Sequence, residues 1–414
     1  MDINLFTLVL VISLLAAFYS AVNIGANDVA NAMATSVASG ALTIKRAVVV
    51  AAICNFIGAI LVGTHVANTI RKGLIDPMQF SDRPNIFLFG MLAAILGSSL
   101  WVNLATYLKL PVSTTHSIIG GVLGFGLISV GFAGIQWKVV LFVVLSWFIS
   151  PIFGGIIAFV IFSVIKKFIL SSPEPIEQTK KIGPFFAGMV GFILALAVIY
   201  KGPENLHLDL HFLEAFIISL CIGLLCFFIG FFLLRKYKER EEDPYYQVEK
   251  MANPLQVLSA GFQAFSQGAN DVANAIGPVA AIWAIIQTQR VEMAVSVPIE
   301  LLVLGGAGLA FGVYTWGYRV METVGKKITS ITPTRGFSAG FGTAATVLLC
   351  SRLGMPVSTT HVAVGNIIGV GLARGISAIN LDVVKKIFSA WVISLPAAGL
   401  FTVVIFFLLR FIFL

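Results

Sequence analysis

Asp28 and Asp271 are acidic residues in stretches that otherwise read as apolar helix. Each lies in the octapeptide Gly-Ala-Asn-Asp-Val-Ala-Asn-Ala, found at 25–32 and repeated letter for letter at 268–275. An ionised carboxyl group at membrane depth costs about 2.5–3.5 kcal/mol on insertion scales, so both are expected to face a protein-lined cavity and to have partners there. No Lys or Arg lies inside either octapeptide. The absent counter-charge points to a small cation, and hard oxygen ligands suit sodium. Asn27 with Asn31, and Asn270 with Asn274, are spaced i, i+4 and share a helical face as further candidate ligands. Glycine and asparagine are poor helix formers, which predicts a backbone break inside each octapeptide and a discontinuous helix.

A second motif, Pro-Val-Ser-Thr-Thr-His, occurs at 111–116 and 356–361. Proline followed by hydroxyl residues is a helix-start pattern: the hydroxyls can cap free N–H groups, and the positive end of the helix dipole lies there. Such a terminus favours an anion. Ser113, Thr114 and Thr115, with Ser358, Thr359 and Thr360, are therefore candidates to hold one tetrahedral oxyanion from two sides. The alternative is that these hydroxyls bond their own helix backbone. His116 and His361 end the motifs; they either donate to the anion and follow protonation, or bond a neighbouring carbonyl. Glu300, near the start of an apolar run, is either a buried cation ligand or an interfacial residue.

The elements that position these residues follow from composition. Of 414 residues, 58% are hydrophobic and 11% charged, and the mean hydropathy is +0.96. Soluble domains carry roughly 25% charged residues, so a water-soluble fold is excluded. Apolar stretches near 3–22, 85–108, 138–165, 211–234, 297–320 and 386–413 are each long enough to cross a bilayer, and the first reads as a retained helix and not a signal peptide. The fold class is an all-α polytopic membrane protein of about twelve spans. Cys54, Cys221, Cys226 and Cys350 fall in apolar segments and read as packing residues. His65, His207 and His211 lie in or beside connections and carry no evident chemistry.

The chain is built twice. Beyond the two motifs, Gly120, Gly124 and Gly126 match Gly365, Gly369 and Gly371, and Trp147 and Ser150 match Trp391 and Ser394, all at displacements of 243 to 245. Residues 1–151 form a first repeat, 152–253 a connecting pair of helices with polar linkers at 166–181 and 235–253, and 254–414 a second repeat. With twelve spans and both termini outside, most of the 27 Lys and Arg fall on the inner side. Corresponding helices then lie an odd number of spans apart, which makes the repeats inverted. The net charge of +8 thus concerns orientation and not nucleic acid.

These motifs resemble the signature segments of the inorganic phosphate transporter family, and the resemblance covers both halves. It implies inorganic phosphate as substrate, an inverted-repeat helical fold and cation coupling. The family includes proton-coupled phosphate carriers, sodium-coupled ones and some sulfate permeases; two octapeptides of this form resemble the sodium-coupled branch. Two departures stand out. The linker between halves is short, and Asn55 and Met91 lie near places where some eukaryotic members carry intramembrane glutamates. The expectation is a secondary active transporter of the cell membrane, the inner membrane in a bacterium, with lipid, phosphate and sodium as partners and no cofactor. A homodimer stays open. A passive anion channel would need a continuous polar pore, and a membrane hydrolase would need one nucleophile and one base where every candidate here is duplicated.

Overall fold

The computed structural model describes residues 3–72, 74–108, 110, 112–200, 210–239, 241–291, 297–318, 321, 331–378 and 380–413. Pro111 and His207, and Lys109, Arg319, Lys326 and Lys327 among the basic residues assigned to the inner side, lie outside the described residues. The described chain is almost entirely helical: α1 Ile3–Ala38, α2 Ile44–Val62, α3 Thr64–Lys72, α4 Pro84–Tyr107, α5 Thr114–Val130, α6 Trp137–Ile165, α7 Pro175–Ile199, α8 Phe212–Arg235, α9 Pro244–Thr288, α10 Ile299–Trp316, α11 Pro333–Arg352, α12 Thr359–Arg374 and α13 Leu381–Phe413. Among the described residues nine helices are long and apolar enough to span a membrane. The chain is a multi-pass membrane protein. Against the expected twelve spans, α5 and α12 are short, at 17 and 16 residues, and α11 carries Gly, Ser, Thr and Arg that suit burial in protein.

The predicted breaks in the octapeptides are absent: α1 and α9 run unbroken through Asp28 and Asp271. A helix inside a bilayer must satisfy every backbone group internally, which outweighs the propensity cost of about 1 kcal/mol for a glycine. The glycines serve close approach instead. A Cβ on Gly25 would stand 2.1 Å from the Leu309 carbonyl oxygen on α10, and one on Gly268 would stand 2.1 Å from that of Asn55 on α2. The discontinuities fall between α4 and α5 and between α11 and α12, at the hexapeptides. There the Pro356 nitrogen has no hydrogen to donate, and Ser113 and Ser358 cap the new helices by accepting from the His116 and His361 amides at 3.1 and 3.3 Å.

Packing exchanges the halves. α1 lies on α10 and α9 on α2; α13 lies on α5 and α6 on α12. The segment at 235–253 is linker only as far as Asp243, whose carboxylate accepts from the Tyr245 and Tyr246 amides at 2.7 and 3.1 Å and starts α9. The segment at 166–181 shrinks likewise to a short π turn at Lys166–Leu170, before Pro175 opens α7. The four cysteines are free; Cys350 is buried and Cys54 and Cys226 are half-buried, but Cys221 is exposed, which corrects its reading as a packing residue.

Candidate functional site

The two unbroken helices and the two half-helices meet at the centre of the bundle. The Thr114 hydroxyl donates to Asp28 Oδ2 at 2.7 Å, and the Thr359 hydroxyl donates to Asp271 Oδ2 at 3.0 Å. Asp28 Oδ1 accepts from the Asn31 amide at 3.3 Å; Asp271 Oδ1 accepts from Asn270 at 2.8 Å. Both carboxylates are fully buried. Among the described residues neither has an ion-pair partner, since the salt bridges there join Lys180 and Lys250 to peripheral glutamates.

The third hydroxyl of each motif crosses to the other half. Asn31 Nδ2 donates to Thr360 Oγ1 at 2.9 Å and Asn274 Nδ2 donates to Thr115 Oγ1 at 3.2 Å. In turn Thr115 donates to the Val357 carbonyl at 3.0 Å and Thr360 to that of Val112 at 3.2 Å. Each of the four threonine hydroxyls therefore donates to a protein oxygen that a ligand oxygen could replace, whereas Ser113 and Ser358 serve as helix caps. All six are buried, so the cluster is closed to water from both sides.

Asn27 and Asn270 have a positioning role. Asn27 Nδ2 donates to Thr106 Oγ1 at 2.9 Å and the Leu110 carbonyl at 3.1 Å, while its Oδ1 accepts the Val112 amide at 3.3 Å. Asn270 Nδ2 donates to the Val357 carbonyl at 2.8 Å, and its Oδ1 accepts from Ser351 at 3.4 Å. These amides supply the backbone partners that a broken chain lacks. Thr106 and Ser351 were missed in the sequence, although they too are displaced by 245. Gln263, whose Nε2 donates to the Asn31 carbonyl at 2.7 Å, has no such signal, because Ser20 occupies the corresponding place in the first half.

The histidines take the second of their two predicted roles. His116 Nδ1 donates to the Trp391 carbonyl at 3.3 Å and His361 Nδ1 to that of Trp147 at 3.4 Å. Pro151 has no N–H to offer the Trp147 carbonyl four residues back, so that oxygen is free for His361. The two imidazoles lie 4.5 Å apart, each against a tryptophan at 3.7 and 3.5 Å between centroids. Glu300 is not brought to the site: it is exposed in the first turn of α10, which corrects its reading as a buried cation ligand.

This arrangement is shared with known proteins. The sequence profile of the phosphate transporter family matches residues 24–402. The chain belongs to that family. A candidate phosphate permease of Pyrococcus furiosus is 45% identical over 96% of this chain and 95% of its own, and one of Haemophilus influenzae is 42% identical over 96% and 95%. A solved structure of a sodium-dependent phosphate transporter is 41% identical and superposes with a TM-score of 0.92, covering 98% of this chain and 99% of that one. This phosphate transporter family member is thus a membrane permease and not an enzyme.

Proposed function

We propose that the chain carries inorganic phosphate together with sodium ions by alternating access. The observation that carries this reading is the pair of buried Asp–Thr contacts, Asp28 with Thr114 and Asp271 with Thr359, which among the described residues have no ion-pair partner. A divalent phosphate beside two carboxylates sums to about four negative charges. Like charges about 4 Å apart repel by several kcal/mol even at an effective dielectric near 20. Cations must enter with the anion, one at each carboxylate. Phosphate sits between the Ser113–Thr115 and Ser358–Thr360 segments, which exchange their carbonyl and amide partners for its oxygens, with Asn31 and Asn274 turned toward ion or anion as the cluster opens. The sodium-dependent neighbour supports sodium over a proton as the coupled ion.

The closed cluster corresponds to an occluded state, and inverted halves of 1–151 and 254–414, with both termini outside, supply its inward and outward openings. Labelled phosphate uptake into proteoliposomes, with sodium, potassium or a proton gradient imposed in turn, tests the proposal. Uptake should saturate and collapse when the sodium gradient is removed. Equal uptake on a proton gradient alone would replace sodium by a proton; flux that never saturates would make the protein a channel.

A further inference from the structure

We infer that the protein carries a second, lipid-facing site, for a hydroxyl-bearing amphiphile, behind the histidine pair. A hollow of about 430 Å³ lies between α6 and α13, with His116, His361, Trp147 and Trp391 among its lining residues. That volume is within the usual range for small-molecule pockets, roughly 300–1,000 Å³. Its remaining wall is apolar, and its mouth is formed by side chains turned away from the protein: Phe148, Ile152, Phe388 and Val392 are 52%, 64%, 47% and 63% exposed. In a membrane these residues meet lipid.

The chemistry of the occupant is set by the histidines. Each imidazole spends its Nδ1–H on a tryptophan carbonyl, which can only accept, so each neutral ring keeps a bare Nε2 acceptor. Neither Nε2 has a partner, although both residues are only 5% exposed. A buried acceptor left unpaired costs about 1–3 kcal/mol, which an incoming O–H group, with its single proton, would relieve at one ring at a time. Trp391, on the same wall, carries a buried Nε1–H that also lacks a partner, so two acceptors and one neutral donor face the occupant, a set that suits a hydroxyl and not a phosphate. A tail is also provided for. A second hollow of about 430 Å³ runs along α6 past Gly155, Ile156 and Phe159 to Gly365 and Gly369, and the two share Pro151 and Ile152. The occupant is therefore an alkanol-like lipophile, with its hydroxyl at the histidines and its chain along α6. It lies one residue behind Thr115 and Thr360, where it would resist relative movement of the half-helices.

The test is photolabelling of the intact protein in phosphatidylcholine vesicles with a diazirine alkanol of ~ten carbons, followed by peptide mapping. Adducts should concentrate in 144–152 and 388–395 and be displaced by 1-decanol. Decyl methyl ether, which matches the shape but donates nothing, should need about tenfold more for the same displacement. His116→Phe and His361→Phe keep ring bulk, and each should narrow that difference. Ile152→Trp, at the lipid-facing mouth, should lower labelling while leaving the histidines in place. Equal competition by alcohol and ether would reduce the hollow to an apolar crevice and overturn the inference. So would adducts spread evenly over lipid-facing helices, or cross-links showing that a second copy of the chain fills the slot. The readout is labelling, so it stands or falls separately from the ion coupling.

Discussion

Thr115 and Thr360 illustrate how much a single hydroxyl is asked to do. Each accepts from an asparagine of the other half and donates to a carbonyl of the other half's broken segment. Thr115→Val and Thr360→Val should each weaken phosphate binding by roughly 1–3 kcal/mol, the cost of losing a donor to a buried anion, measured by calorimetry in detergent. Wild-type affinity in both would separate the anion from these residues. Asp28→Asn and Asp271→Asn should reduce the steepness of the sodium dependence of uptake as well as its rate; an unchanged sodium response in both would leave the carboxylates a purely structural role. The principal polar residues of the cluster were legible in the sequence because they are duplicated and because a carboxylate in an apolar helix demands an explanation. Their division of labour was not. Asn27 and Asn31 are equivalent by spacing, yet one stitches down the chain break and the other crosses to Thr360.

At the level of elements, the repeats and the helix starts at the hexapeptides were readable, but the further breaks expected in the octapeptides are absent. Propensity marks Gly-Ala-Asn-Asp as a weak helix, and the energy that overrides it, close backbone approach of α1 to α10 and α9 to α2, is tertiary and invisible in a local window. The packing makes its own prediction. Gly25→Ala and Gly268→Ala push a methyl group into a carbonyl oxygen at 2.1 Å, where backbone must move. Overpacking typically costs about 1–3 kcal/mol, so both variants should unfold at lower temperature in detergent than Gly40→Ser, at a position with open space around it. Gly40 has a positive φ of 79°, so part of that comparison's penalty is backbone strain, and a larger loss at 25 and 268 would show that contact dominates.

For the molecule as a whole, the proposed joint binding of sodium and phosphate carries a linkage requirement: each must tighten the other by the same factor. Sodium and phosphate together should therefore raise the thermal midpoint of the purified protein by more than the sum of the two separate shifts. Strict additivity would mean independent sites. The crossed bonding also bears on how the chain is made. Asn31, Thr115 and His116 find their partners at Thr360, Val357 and Trp391, 242 to 329 residues further along. At a synthesis rate of roughly 5–20 residues per second, the first half waits on the order of ten seconds to a minute in the membrane before those partners exist. During that interval its amides and hydroxyls are unmatched in a medium that tolerates none. Newly made 1–151 should accordingly need shelter from an insertase or chaperone until the second half arrives, and in its absence should be the species that membrane proteases degrade.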